Sequence, residues 1–358
     1  MNWLSRLVVR LDRFTVVTLL LALALAGGIA AALVIGVGLY DVSARKGHFA
    51  IVEWALHTTF RNSVRLRASS IPPGDPSSPE MLALGAGHYE QACAMCHGRP
   101  GEPQDATIRA MEPRPPHLSE LAGGWTASEL HWIIHQGAKM TGMPAWPARR
   151  ADDVWSVVGF VQNAARVADY DRLTGGKARG SCSMCHGEWG VSRNPLVPRL
   201  DILSPEYLAA SLRAYREGTR DSGIMAEAAS PLDDEAIARL STSFPAPQTA
   251  EPSTEVKPQG EPLATQGKGV TPSCVACHGP WPETLNPGFP SLSGQHASYL
   301  RQQLMLWRDG PRGGGRLAGL MHHAARDLTD AEIADLAAYY AALPPARLNQ
   351  NQMEGGAR

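Results

Sequence analysis

Six cysteines and three histidines of this chain fall into one repeated pattern. All six cysteines lie in three copies of Cys-x-x-Cys-His, which begin at Cys93, Cys182 and Cys274. On a turn of helix, two thiols separated by two residues can bond to the two vinyl groups of one haem, and the adjacent histidine can bind its iron. The pattern therefore predicts three sites of covalent haem c attachment, formed by Cys93, Cys96 and His97, by Cys182, Cys185 and His186, and by Cys274, Cys277 and His278.

Two other kinds of site contain a pair of cysteines at this spacing. Half of a zinc site and a thioredoxin-like redox pair both use Cys-x-x-Cys. In this chain every pair is followed by its histidine, and no cysteine remains for a disulfide framework. Both features favour haem over zinc or thiol redox chemistry.

The spacing of the motifs indicates a repeated domain. The motifs start 89 and 92 residues apart. At an offset of 92, Tyr207 and Leu208 align with Tyr299 and Leu300, and after a four-residue insertion Met225 aligns with Met321. A fixed period of this length is typical of tandem copies of one unit. The shared frame consists of an apolar helix, a loop that contains a methionine, and a second helix with an acidic first turn.

Apolar periodicity predicts the helices around each motif. In the first unit, one helix is expected from about 127 to 137 and another from about 151 to 165, on either side of a Gly-Met-Pro-Ala-Trp loop. In the third unit the last helix is expected over 328–343. Residues on one face of this last helix are apolar at helical spacing, namely Ile333, Leu336, Ala337, Tyr340 and Leu343.

These motifs and loops resemble those of class I bacterial cytochromes c, present here in three tandem copies. Residues 173–343 resemble diheme cytochromes c, and the first unit resembles single-haem domains whose axial methionine lies in a Gly-Met-Pro-Ala-Trp loop. The resemblance implies three tandem class I cytochrome c domains, and with the N-terminal transmembrane helix that the apolar stretch described below predicts, the expected fold is all-α.

The resemblance also implies a methionine opposite each histidine, because class I haems take a thioether as second axial ligand. Met143, Met225 and Met321 follow their motif histidines by 46, 39 and 43 residues. Met143 is preferred to Met140 because Pro144 forces an extended loop after it. Met321 is favoured by the repeat over the competing residues, which are Met305, His322 and His323.

An apolar stretch near the N-terminus predicts a membrane anchor. Residues 14–40 contain no charged side chain, and a helix of that length is about 40 Å long, enough to cross a hydrocarbon core of about 30 Å. Arg6, Arg10 and Arg13 precede it and predict a cytoplasmic N-terminus, although Arg45 and Lys46 follow the span. A cleaved signal peptide is the rival interpretation, but its apolar core is normally only about 7 to 15 residues.

The domain boundaries follow from these features. We expect a cytoplasmic tip and anchor (1–46), a juxtamembrane helix and linker (47–79), cytochrome domain 1 (80–172), cytochrome domain 2 (173–247), a linker with cytochrome domain 3 (248–346), and a tail (347–358). A helix over 47–69 can either lie along the headgroups or pack on domain 1. Residues 244–262 are rich in Pro, Thr and Glu and predict an extended tether.

The composition excludes several functions. The net charge of -1 leaves no basic face for nucleic acid, and no nucleotide-binding pattern is present.

If every iron has His and Met ligands, none has an open position for substrate, so electron transfer rather than enzymatic turnover is expected. One hypothesis is a periplasmic carrier, tethered to the bacterial inner membrane, between a quinol-oxidising complex and a haem-copper terminal oxidase of a respiratory chain. The alternative is the cytochrome subunit of a flavin- or quinoprotein dehydrogenase.

Overall fold

Helices and loops make up the described part of the chain. The computed structural model describes residues 13–74, 76–121, 123–164, 169–174, 182–244, 259–279, 286–310, 312–315 and 317–345. Within these ranges the only β structure is two isolated bridges, Arg220 with Gly313 and Lys268 with Thr271. This architecture confirms the predicted all-α fold class. The predicted tail at 347–358, most of the tether and the arginines at 6 and 10 lie outside the described residues.

Two long helices precede the first haem motif. Helix α1 (Arg13–Val37) has no buried residue in its apolar span, Phe14–Val37, and it is the one helix of the described chain that is long and apolar enough to cross a membrane. Helix α2 (Ala50–Ala68) is exposed over its first half, where Ile51, Trp54 and Leu56 face outward. In its second half Val64 and Ala68 are buried. The juxtamembrane helix therefore packs on domain 1 through its second half alone.

Domain 1 surrounds its motif with short helices. They are α3 (Pro79–His88), a π-helical turn (Tyr89–Cys93), α4 (Ala94–His97), α5 (Ala106–Arg109), α6 (Leu118–Leu121), α7 (Ala127–Gln136), α8 (Val154–Asn163) and α9 (Tyr170–Leu173). Helices α3 and α8 form the centre of the core, where Tyr89 and Phe160 pack with ring centroids 5.0 Å apart. Helix α3 begins at Pro79 with Ser78 as its N-cap.

Domains 2 and 3 repeat one arrangement. Domain 2 contains α10 (Ser183–His186), α11 (Pro205–Arg216), α12 (Gly223–Ala229) and α13 (Asp234–Ser241), and domain 3 contains α14 (Glu261–Gln266), α15 (Val275–His278), α16 (Ala297–Asp309), α17 (Ala318–Ala325) and α18 (Asp330–Ala342). Helix α14 begins inside the predicted tether, because Gly260 lies against the backbone of α18 where a larger residue would not fit. On α18, Ile333, Leu336, Ala337 and Tyr340 are buried, as the periodicity predicted.

The interface between domains 2 and 3 is nearly symmetric. The Arg312 side chain donates to the Tyr207 hydroxyl at 3.4 Å, and the Arg220 side chain donates to the Tyr299 hydroxyl at 3.3 Å. Both arginines and both tyrosines are related by the offset of 92. A segment before α12 also pairs with the one before α17 through the Arg220–Gly313 bridge. These bonds join the two domains directly, beyond the covalent link through the tether.

Candidate haem-binding sites

The three motifs share one local conformation. The last two residues of each Cys-x-x-Cys-His motif end a helix of four residues, α4, α10 or α15. The glycine that follows the histidine has a positive φ in each case, 74° at Gly98, 81° at Gly187 and 78° at Gly279. Only glycine adopts this conformation without strain. The chain therefore turns away directly after the histidine, which leaves the imidazole at the end of a short helix.

Each motif histidine is oriented by a backbone carbonyl. The Nδ1 atoms of His97, His186 and His278 lie 2.8, 2.9 and 2.8 Å from the carbonyl oxygens of Pro116, Pro198 and Pro290. Because a carbonyl can only accept, Nδ1 carries the hydrogen and Nε2 keeps its lone pair for a metal. Burial lowers the pKa of all three imidazoles, against the opposing effect of the proline carbonyls. Three neutral, oriented imidazoles suit iron ligation.

The environment of the thiols does not suit redox chemistry of the thioredoxin type. Burial raises the pKa of Cys93 to about 12 and that of Cys185 and Cys274 to about 11. Reactive cysteine pairs need a lowered pKa, since the thiolate is the nucleophile. In the described chain, no three His, Cys, Asp or Glu side chains converge as a zinc site would require. The raised pKa values therefore fit the predicted role as attachment points better than a role as nucleophiles.

Domain 3 brings its predicted axial pair together. The Nε2 atom of His278 lies 3.4 Å from Sδ of Met321, which is half-buried on α17. The competing His322 has its Nδ1 atom 2.7 Å from the Trp307 carbonyl, which accepts a hydrogen bond from it. Met305 lies on α16, and both Met305 and Met321 pack against the core of domain 3. Met321 is thus the residue whose sulfur faces the motif histidine, and its ligation stays a prediction that this geometry supports.

In domain 1, two methionines of one loop are placed differently. Met143 is half-buried, and its carbonyl accepts a hydrogen bond from Ala138 N–H at 3.2 Å. Met140 is 97% exposed and adopts a positive φ of 61°. Gly137 ends α7 with a φ of 67°, and a Cβ there would lie 2.6 Å from the Pro144 backbone. The close approach at Gly137 places the Met143 loop against α7, whereas Met140 points to solvent.

In domain 2, Met225 lies in the first turn of α12. The Ser222 side chain caps this helix and accepts a hydrogen bond from Met225 N–H at 3.4 Å. Met225 is half-buried. The pairing of Met225 with His186, and of Met143 with His97, stays a prediction.

Taken together, the donors fit haem c. Each site offers two thiols for covalent attachment and one neutral imidazole with a free Nε2, and domain 3 adds a facing thioether. Haem c supplies a one-electron ferric/ferrous couple when it is bound. The motif cysteines would hold that group, and the proline carbonyls would orient the histidine that binds its iron.

Comparisons with known proteins agree with this chemistry. Residues 80–161 match the model of the family described as "Cytochrome C oxidase, cbb3-type, subunit III", and residues 264–343 match the model described as "Cytochrome c". A protein named "Thiosulfate dehydrogenase electron acceptor" from Thiomonas intermedia is 38% identical over 177 residues, which cover 46% of this chain and 79% of that protein. The chain belongs to the cytochrome c family.

Other relatives of this cytochrome c are of the same kind. The "Thiosulfate dehydrogenase electron acceptor" of Stutzerimonas stutzeri is 36% identical and covers 45% of this chain and 78% of its own. Cytochrome c4 of Thiocapsa roseopersicina is 36% identical over 46% of this chain and 87% of its own. A solved thiosulfate dehydrogenase from Marichromatium purpuratum aligns at 36% identity and a TM-score of 0.41, covering 48% of this chain and 39% of that one. The curated relatives are named as electron acceptors or as cytochrome c4, and the predicted resemblance to cytochromes c is confirmed.

Several functional residues were not apparent from the sequence. The role of the Pro116, Pro198 and Pro290 carbonyls depends on backbone geometry, which the sequence does not give. Tyr89 and Tyr340 donate to the carbonyls of Gly98 and Gly279 at 2.7 and 3.3 Å, and so fix the residue after each histidine. The offset of 92 aligns Arg220 with Arg312, but it does not predict the hydrogen-bond partners of either arginine.

Proposed function

We propose that this cytochrome c carries three haems and accepts electrons from a periplasmic dehydrogenase of the thiosulfate-oxidising class. The observation that carries the proposal is the likeness to two proteins named as electron acceptors of thiosulfate dehydrogenase, at 38% and 36% identity. It favours the dehydrogenase alternative over the carrier hypothesis.

The site residues have two roles, covalent attachment of haem and ligation of its iron. Cys93, Cys96, Cys182, Cys185, Cys274 and Cys277 attach the haems, and the axial pairs are His97 with Met143, His186 with Met225, and His278 with Met321. Two protein ligands on each iron leave no position for a substrate. Substrate oxidation then belongs to a separate catalytic subunit, and this chain receives the electrons.

The N-terminal helix indicates where the cytochrome is located in the cell. We propose that α1 stays uncleaved and spans the bacterial inner membrane, with the three domains in the periplasm. Its outward-facing leucines and valines have no protein partner in the described chain and suit a lipid environment. Anchoring raises the effective concentration of the cytochrome near membrane partners.

A second candidate function is transfer from a quinol-oxidising complex to a terminal oxidase. It is favoured by the match of domain 1 to the oxidase subunit III model and by the apolar anchor helix. The two functions differ in the electron donor, so a donor experiment separates them.

The experiment uses membranes that contain the full-length cytochrome and its native partners. Haem reduction is followed by absorbance after adding thiosulfate or a quinol, with a strain that lacks the cytochrome as control. We expect thiosulfate to reduce the haems of this cytochrome only when the catalytic dehydrogenase subunit is present. Reduction by quinol through the respiratory complex, with none by thiosulfate, would overturn the dehydrogenase proposal and establish the carrier.

A further inference from the structure

A short segment before Met225 contacts all three domains. This junction segment, residues 219–223, leads directly into α12, the helix that carries Met225. Its Asp221 N–H donates to the Arg312 carbonyl of domain 3 at 2.9 Å, and Thr219 accepts a hydrogen bond from Gly314 N–H at 2.8 Å. One side of the segment is therefore paired with domain 3.

The other side of the junction segment is bound by domain 1. The Asp221 carboxylate accepts hydrogen bonds from the backbone N–H groups of Arg149 and Arg150, at 3.0 and 3.1 Å. Both residues follow the Met143 loop. Because Asp221 uses its side chain toward domain 1 and its backbone toward domain 3, a single residue links the neighbouring domains through domain 2.

A second carboxylate joins two methionine-bearing segments. Buried Asp153 accepts from the Trp146 indole N–H at 3.0 Å with one oxygen, and from Gly223 N–H at 2.9 Å with the other. Trp146 lies three residues after Met143, and Gly223 lies two residues before Met225. Hydrogen bonds to a buried carboxylate are among the stronger ones in proteins, so Asp153 ties the two segments together.

Close packing reinforces these bonds. A Cβ at Gly223 would overlap the Trp146 indole, and a Cβ at Gly87 on α3 would lie 3.2 Å from Sγ of Cys185 in the second motif. Ile224 of α12 packs against the core of domain 1. Helix α12 is thus held between its own domain and domain 1.

We propose that Asp153 and Asp221 are positioning residues, which fix the Met225 segment between domains 1 and 3 and thereby tune the middle haem site. The inference rests on the proposed ligation by Met225. It assigns a role in electron transfer to Asp153 and Asp221, two residues that lie outside the haem motifs. Since they also bond to the chain around the Met143 loop, the first and second sites are adjusted together, whereas the third is reached only through the backbone of Asp221.

The test compares Asp153→Ala and Asp221→Ala in the full-length, haem-loaded protein with Asp234→Asn. Asp234 is a surface carboxylate of the same domain that pairs with Arg216 at 2.8 Å and makes none of the contacts above. Two readouts are used: haem-resolved redox titration, and backbone hydrogen exchange over 146–153 and 219–229. Haem content and far-ultraviolet circular dichroism confirm that each variant is folded.

We expect the potentials of the first and second haems to rise in both alanine variants, because each carboxylate bonds beside both methionine-bearing segments and an anion favours ferric iron. Exchange at Gly223 in one variant, and at Arg149 and Arg150 in the other, is expected to accelerate by about tenfold, since each amide loses its acceptor. The third haem is expected to keep its potential. Unchanged potentials and exchange, equal to those of Asp234→Asn, would overturn the inference.

Two further variants keep the outcome decisive. Gly223→Ala retains both carboxylates, but its added Cβ would overlap the Trp146 indole. We expect backbone hydrogen exchange over 146–153 to accelerate as it does in the aspartate variants. Met225→Ala tests the ligation itself: if the methionine-to-iron charge-transfer absorption is undiminished in it, the proposed ligand set fails independently of the junction. If that absorption falls by about one third while the aspartate variants behave as wild type, only the positioning role is wrong.

Discussion

The Nε2 atom of His278 and the Sδ atom of Met321 face each other at 3.4 Å across the third site. Met321 lies on α17 and His278 at the end of α15, so two separate helices supply the pair. This geometry supports Met321 over the three other candidates in the same domain, which are Met305, His322 and His323.

Replacing Met321 tests this pair. We expect Met321→Ala to remove about one third of the methionine-to-iron absorption of the ferric protein and to lower the potential of one haem, because a thioether stabilises ferrous iron. His322→Ala is the matched control, since its ring bonds to the Trp307 carbonyl. Full absorption in Met321→Ala, with a loss in His322→Ala or Met305→Ala, would reassign the ligand.

The two methionines of the domain 1 loop allow a similar comparison. Met143→Ala is expected to remove another third of the same absorption, whereas Met140→Ala is expected to leave it unchanged because Met140 is almost fully exposed. The measurement is the near-infrared or red absorbance of the oxidised protein at equal haem content. The opposite result, with the effect confined to Met140, would show that the loop turns over when haem is bound.

Buried His88 makes domain 1 sensitive to acid. Its ring packs against Trp146 at a tilt of 58°, with ring centroids 4.7 Å apart, and burial lowers the pKa of His88 to about 4. In the unfolded chain its pKa is near 6.5, so the unfolded state binds the proton first as the pH falls. The free energy of unfolding therefore falls as the pH drops from about 6.5 to about 4, with an upper limit of about 3 kcal/mol. Below pH 4 both states bind the proton, and His88 causes no further loss.

Urea unfolding at several pH values between 4 and 7 measures this contribution. His88→Phe keeps an aromatic ring against Trp146 but cannot take up a proton. We expect the free energy of unfolding of this variant to fall less between pH 6.5 and 4 than that of the wild type. Parallel pH profiles for the two proteins would show that His88 does not contribute.

The anchor helix predicts how the protein fractionates. Deletion of residues 1–46 behind a heterologous cleavable signal is expected to yield a haem-loaded protein in the soluble periplasmic fraction, while the full-length chain stays with the membranes. Mass spectrometry of the native protein checks the same point, because an uncleaved anchor leaves the N-terminal residues in place. A native mass that lacks the apolar segment would identify it as a signal peptide.

The sequence was most informative where the chemistry is local. The haem motifs are complete within five residues, and apolar periodicity predicted α7 and α18 to within two residues, because both depend on neighbours along the chain. The start of α8 was placed three residues early, at 151 rather than Val154, because Asp152 and Asp153 are used in tertiary contacts and not in the first helical turn.

Contacts between domains were not predictable in this way. Asp153 and Gly223 are 70 residues apart, and Asp221 and Arg149 are 72 apart. Neither carboxylate belongs to a motif or to the repeat, since the match between domains 2 and 3 carries no information about domain 1. The end of the predicted tether differs from the structure for the same reason. The tether was expected to reach residue 262, but α14 begins at Glu261 and Gly260 contacts α18, about 75 residues further along the chain.

The measurement that tests the account most directly is the intact mass of the purified protein together with its haem content by alkaline pyridine spectroscopy. We expect a mass increase equal to three haems and three haems per chain, and two in a Cys274→Ala/Cys277→Ala variant. Denaturation should not release the haems, since thioether bonds hold them. A chain that carries no covalent haem, or that carries zinc at its cysteine pairs, would contradict the central claim.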